Sequence, residues 1–200
     1  MACILFMDIV DFTAISSRMS ARDVVRMLVK VFGVVEKCVA KFPRVEKVKT
    51  IGDAFMCSSG LMQSEALTEN LTEMGNLALA LTKKNYDIKY EDELGRTHDV
   101  AINFRFGVHC GEAVAGIISK TRFAFDVLGD TVNVAARMES MSQAGRVLVS
   151  DAFRRAVEPA GCFAFRDNGL RHVKGKGPMQ TWFLEEATVP EESGLSSEPS

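Results

Sequence analysis

No run of about eighteen apolar residues occurs in this 200-residue chain, so no stretch of it reads as a membrane-spanning helix. The apolar opening ACILFM is too short for a signal peptide and has no basic segment ahead of it. It begins one residue before a core strand, which gives the expectation of a domain from a longer protein with an upstream part. No Cys-x-x-Cys pair occurs among Cys3, Cys38, Cys57, Cys110 and Cys162, so reduced thiols in a cytosolic compartment are expected, without disulfides. An excess of one charge is also missing. With 24 basic against 26 acidic residues the formal charge is −2, which gives no reason to expect nucleic acid or an anionic membrane as main partner. Any anion must be bound locally. No internal repeat stands out.

What is present fits one globular domain: 47% hydrophobic and 25% charged residues, enough to bury a substantial core. That domain is assigned to residues 1–186, and the acidic, Ser- and Pro-containing stretch 187–200 is expected to be a disordered tail. ACILFMD reads as a buried strand ending in a carboxylate, followed by a polar connection with a short helical piece. Ser20 and Asp23 form a capping-box-like start. Val24, Met27, Leu28, Val31, Phe32 and Val35 then recur at helical spacing to about Phe42, and Pro43 stops the helix. A hairpin spans VEKVKTIGDAFMCSSG, and a second helix is predicted over about 64–84. NYDIKYEDELGRTHD reads as an exposed insertion or β-ribbon, VAINFRFGVHCG as a strand, and EAVAGIISKTRF as a turn region. AFDVLGD ends another strand, and a helix starts near Thr131. RVLVS, a short helix from about Asp151 and two closing strands complete the order. The expected fold is an α+β ferredoxin-like sandwich. Its βαββαβ core carries extra C-terminal elements, and helices pack on a mostly antiparallel sheet.

Two aspartates stand out. Asp8 closes the first strand, and Asp53 sits in the turn of the hairpin, so two carboxylates from distant sequence can meet at one edge of the sheet. Oxygen ligands of this kind suit Mg²⁺ or Mn²⁺ when a substrate supplies phosphate oxygens. Aspartate also caps helices and fills turns well. Position alone leaves the two readings level.

The motifs FMDIVDFT, VKTIGDAFM, GVHCGEAVAGIIS, FDVLGDTVNVAARMES and HVKGKGPMQTWFL, in this order, resemble the successive motifs of class III nucleotide cyclase catalytic domains. The resemblance covers about 4–184. It implies that Asp8 and Asp53, with the backbone carbonyl of Ile9, hold two Mg²⁺ or Mn²⁺ ions per site. It also implies that amides of the turn containing Phe12 and Thr13 cradle the substrate phosphates. Asp11 stands where family members often carry a small residue, and is taken as a turn or cap residue. Asn133 and Arg137 look like the pair that orients the ribose and stabilises charge on the α-phosphate. Four residues apart on a helix, they share one face, where a solvated pair is the plainer reading. Lys174 matches the triphosphate-contacting lysine, while Lys176 is assigned to a glycine-rich surface turn.

Lys49, just before TIGD, and Asp126, in FDVLGD, occupy the two base-reading positions. Adenylyl cyclases carry Lys and Asp there, and guanylyl cyclases typically Glu and Cys. A carboxylate accepts from the N6 amine of adenine and an ammonium donates to N1, whereas guanine presents the opposite edge. The resemblance therefore implies an adenylyl cyclase converting ATP to 3′,5′-cyclic AMP and pyrophosphate by two-metal in-line attack. Its sites would lie across a head-to-tail homodimer. The surrounding motifs lie nearer the guanylyl branch, so a guanylyl cyclase using GTP, or a variant with switched base choice, is the alternative. A cytoplasmic-side location is expected, under an upstream regulatory domain and within a parent that is soluble or membrane-bound.

Overall fold

The computed structural model describes residues 1–61, 66–92, 95–117 and 125–186. The expected tail, 187–200, lies outside them. In chain order the elements are β1 (Ala2–Ile9), α1 (Phe12–Ser16), α2 (Ala21–Val39), β2 (Val45–Ile51), β3 (Ala54–Ser59), α3 (Leu67–Thr82), β4 (Ile88–Glu91) and β5 (Thr97–Val100). Then follow β6 (Phe104–Gly111), β7 (Val114–Ile117), β8 (Phe125–Leu128), α4 (Asp130–Ser140), β9 (Val147–Ser150), α5 (Asp151–Val157), β10 (Phe163–Val173) and β11 (Gly177–Glu186).

Seven strands form one sheet in the order β10-β11-β9-β6-β1-β3-β2. Its β6-β1-β3-β2 part, with α2 and α3 as crossovers, is the antiparallel βαββαβ core. β9 pairs with β6 in parallel after α4, and the β10–β11 hairpin extends the sheet from β9. Two ribbons stand apart, β4–β5 and β7–β8. In the second, β7 is a strand within the stretch EAVAGIISKTRF expected as a turn region, and the part of that stretch from 118 onward lies outside the described residues. β7 is four residues long and half small side chains, too short for a readable alternation.

β1 sorts its side chains by the period of two. Cys3, Leu5, Met7 and Ile9 enter the larger core with Met27, Val31 and Val35 of α2, Leu71, Met74 and Leu77 of α3, and Phe153 of α5. Ile4 and Phe6 face the other way, toward Ala135 of α4 and Val127 of the β7–β8 ribbon. Helices therefore cover both faces of the sheet. Each fully buried Phe, such as Phe55, Phe104 or Phe106, contributes about 2–3 kcal/mol through removal from water.

Local signals set the helix starts. Ser20 Oγ accepts from the Asp23 amide at 3.2 Å and donates to its carboxylate at 2.7 Å, so the expected cap forms with Asp23 engaging the Ser20 hydroxyl. α4 begins at Asp130, where the Thr131 hydroxyl donates to the Glu112 carbonyl at 2.5 Å. The β4–β5 ribbon is less exposed than its polar sequence suggests, since Ile88 and Tyr90 alternate inward against the body of the domain.

Candidate active site

Strand register brings Asp8 and Asp53 together. Met7 of β1 lies opposite Phe55 of β3, so the end of β1 runs beside the two-residue turn Gly52-Asp53 that joins β2 to β3. Gly52 supplies the positive φ, 62°, that this tight turn needs. Alternation along β1 turns Asp8 to the same face as Ile4 and Phe6, the face that α4 covers. Burial, reinforced by the Asp8 carboxyl beside it, pushes the Asp53 carboxyl up to about 6.

On its other side Asp8 pairs in register with Arg105 of β6. The guanidinium donates Nη2–H to Asp8 Oδ2 at 2.9 Å and Nε–H to the Glu139 carboxylate of α4. Burial raises the Glu139 pKa, with Arg105 opposing the rise. Neither residue emerges from the sequence as a functional candidate. The readable signal is a charge at an otherwise apolar place. Arg105 sits between Phe104 and Phe106, and Glu139 lies one residue after Met138 and four after Ala135, both fully buried.

After Ile9 the chain turns through Asp11, which has φ 57° and stands at the N-cap of α1 without a side-chain capping bond. The amides of Asp11, Phe12 and Thr13 find no backbone acceptor among the described residues, as at any helix start. Together Asp8, Ile9, Asp11, Phe12, Thr13, Asp53 and Arg105 line an open cleft of about 610 Å³, with Ala14 and Ser17. Asp8, Ile9 and Asp53, expected to hold the cations, and Phe12 and Thr13, expected in the phosphate-cradling turn, are thus in one place, whereas Lys174 and Arg137, also expected to contact phosphate, are not.

The other expected residues lie elsewhere in the protomer. Lys49 of β2 and Asp126 of β8, 77 residues apart, meet at 2.6 Å between Nζ and Oδ2. The bond from Lys49 holds the Asp126 carboxyl below its ordinary range, aided by the Val127 amide. The pair is partly exposed, its side chains 36% and 25% accessible. Asn133 and Arg137 are exposed on one face of α4, and Arg137 makes no ion pair among the described residues. The acid nearest in sequence, Glu139, is committed to Arg105. Lys174 is exposed in the β10–β11 turn, where Gly175 and Gly177 have positive φ, and Lys176 in the same turn pairs with Asp130 at 2.5 Å. Among the described residues none of Lys49, Asp126, Asn133, Arg137 or Lys174 lines the Asp8–Asp53 cleft.

The donor set fits a divalent cation of the Mg²⁺ or Mn²⁺ kind. Burial and the neighbouring Asp8 carboxyl raise the cost of ionising Asp53, a cost that a bound cation would remove. Among the described residues no group of three or more His, Cys, Asp or Glu could hold a metal alone, so further oxygens would have to come from substrate or water.

The profile of the adenylate and guanylate cyclase catalytic domain matches residues 1–186. The chain belongs to this family. It is 37% identical over 92% of its length to the germination-specific adenylate cyclase of Dictyostelium discoideum, and 34% identical over 94% to guanylate cyclase 32E of Drosophila melanogaster. It spans only 20% and 16% of those two proteins. Among solved structures, the guanylate cyclase domain of RhGC from Catenaria anguillulae, in complex with GTP, superposes with a TM-score of 0.80 at 32% identity. That match covers 94% of this chain and 97% of the other. The cyclase fold and the cyclase family are therefore established, and the relatives include cyclases of both bases. No helix among the described residues of this cyclase domain is long and apolar enough to cross a membrane.

Proposed function

We propose that this cyclase domain is an adenylyl cyclase, converting ATP to 3′,5′-cyclic AMP and pyrophosphate. The observation that carries the choice of base is the Lys49–Asp126 pair, held at 2.6 Å with both side chains partly open to solvent. An ordered carboxylate accepts from the adenine N6 amine, and the ammonium that orders it donates to N1. Guanine, with O6 as acceptor and N1–H and N2–H₂ as donors, leaves the carboxylate mismatched. Each mismatch costs about 1–3 kcal/mol, roughly tenfold or more in selectivity.

Asp8, Asp53 and the Ile9 carbonyl would hold two Mg²⁺ or Mn²⁺ ions, which supply charge neutralisation and polarisation of phosphate oxygens when bound. The amides of Phe12 and Thr13 receive the β- and γ-phosphates. The ribose 3′-oxygen attacks the α-phosphorus in line, the bond to the β-phosphate oxygen breaks, pyrophosphate departs and the hydroxyl proton passes to solvent. Asn133 orients the ribose, and Arg137 donates from its planar fork to the charge gathering on the α-phosphate. Lys174 neutralises the triphosphate. No covalent enzyme intermediate is required, since positioning and charge stabilisation carry phosphoryl chemistry of this kind.

Asn133, Arg137, Lys49 and Asp126 would reach this substrate from a second copy of the chain, arranged head to tail, so that two equivalent sites form. The second reading, GTP as substrate, is favoured by the likeness of the surrounding motifs to guanylate cyclases. Turnover of ATP against GTP with Mn²⁺, followed across protein concentration, tests base choice and dimer dependence together. A preference for ATP is expected. The double substitution Lys49→Glu, Asp126→Cys should swing preference toward GTP by about tenfold or more. An unchanged ratio would remove the assignment of these residues.

A further inference from the structure

We infer that Glu139 is a positioning residue for the cation site, restraining Arg105 so that Asp8 stays available to a divalent ion; this rests on the reading of Asp8 and Asp53 as the cation ligands. Arg105 lies directly across from Asp8 in the β1–β6 register and its Nη2 already occupies Asp8 Oδ2 at 2.9 Å. A guanidinium and a divalent cation compete for the same carboxylate oxygens. With Asp8 as its only acid, Arg105 would give its whole charge to the ligand that the ion needs. Glu139 prevents this by holding Nε through a bond of its own. The guanidinium is planar and rigid, so fixing Nε fixes the direction of Nη2 as well.

The fold makes room for this arrangement at a cost. Glu139 is a buried carboxylate on the packed face of α4, an expensive placement unless it is paired. Its backbone reaches that place because Gly107, two residues after Arg105 on β6, has no side chain. A methyl group there would fall 1.9 Å from the Glu139 nitrogen and 2.4 Å from its Cα. The plainer account of the pair is a buried fastening between α4 and the sheet. The two accounts diverge in what Glu139 does once Arg105 is gone. A fastening matters to the site only through the fold, whereas a restraint on Arg105 has no effect on cation binding without Arg105.

The experiment is a titration of the nucleotide-free chain with Mn²⁺ alone, free Mn²⁺ being read by electron paramagnetic resonance. It is run on the unaltered chain, Glu139→Gln, Arg105→Gln and the double variant, with thermal unfolding recorded on each. Glu139→Gln is expected to weaken Mn²⁺ affinity about tenfold, and the same substitution in the Arg105→Gln background to change it less than about twofold. Equal weakening in both backgrounds, or none in either, overturns the proposal. Should Glu139→Gln unfold, Glu139→Asp, which retracts the carboxylate by one methylene, is read against the same criterion. Asp53→Asn separates the two levels of the argument. If it leaves Mn²⁺ affinity unchanged, the cation reading falls and the role of Glu139 falls with it. If it abolishes binding while Glu139→Gln is silent, only the role of Glu139 is lost.

Discussion

Among the described residues Asp11 is the only non-glycine with a positive φ, 57°, at the turn between β1 and α1. The left-handed region costs an ordinary L-residue about 1–2 kcal/mol, less for Asp, and most for a β-branched side chain. Asp11→Gly should therefore leave stability within about 0.5 kcal/mol, and Asp11→Val should cost about 1–2 kcal/mol, as measured by urea unfolding. His109 offers a pH test. Its ring is buried, with Nδ1 2.7 Å from Ser150 Oγ, and burial lowers its pKa from 6.5 to about 4. Between those values the unfolded chain binds the proton that the folded chain refuses. The stabilisation is thus full above pH 6.5 and is lost as pH falls toward 4, by up to about 3 kcal/mol. Asp53 acts with the opposite sign in an overlapping window. Its pKa is raised from 3.8 to about 6, so the folded chain gains stability as pH falls through that range. The difference between the unaltered chain and His109→Gln isolates the histidine: unfolding free energy should decline less in the variant from pH 6.5 to 4.

At the scale of elements, the approach of α4 to β6 decides whether the cleft keeps its shape. Gly107→Ala puts a methyl group into the backbone of Glu139, where nothing flexible can yield, so a loss of about 3 kcal/mol or more is expected in chemical denaturation, with activity falling too. Gly33, inside α2, is the contrast. Nothing lies within 4 Å of a Cβ built there, and Gly33→Ala should stabilise the domain by about 0.5–1 kcal/mol without touching activity. The sequence displays these two glycines alike, which illustrates what it conveys and what it withholds. α2 is legible because its cap and its apolar spacing are local. The β2–β3 hairpin is legible because a Gly-Asp turn separates an alternating strand from an apolar one. The seven-strand order, with β9 parallel to β6, depends on contacts across many residues and is not. Arg105 and Glu139 are 34 residues apart, and although each stands as a charge among apolar neighbours, only the folded register reveals their link to Asp8. Lys49 and Asp126 are farther apart still, and in the sequence only their match to family motifs, not their spacing, joins them.

At the scale of the whole molecule, the division of residues within one protomer carries a prediction about two. Asp8 and Asp53 share a cleft that Asn133 and Arg137 do not line, although α4 reaches the cleft's edge through Glu139. On the head-to-tail reading, each site takes its carboxylates from one copy and its helix residues from the other. Activity per chain should then rise with protein concentration until dimers saturate, as turnover assays over a dilution series would record. Asp53→Ala and Arg137→Ala should each be nearly inactive alone. When they are mixed in equal amounts, about half the dimers pair one variant with the other, and in each such dimer one site collects both lesions while its twin collects neither. The mixture should regain about a quarter of the unaltered activity, against almost none for either variant by itself. A site complete within a single chain gives no such recovery, because every copy in the mixture carries a lesion that no partner can supply.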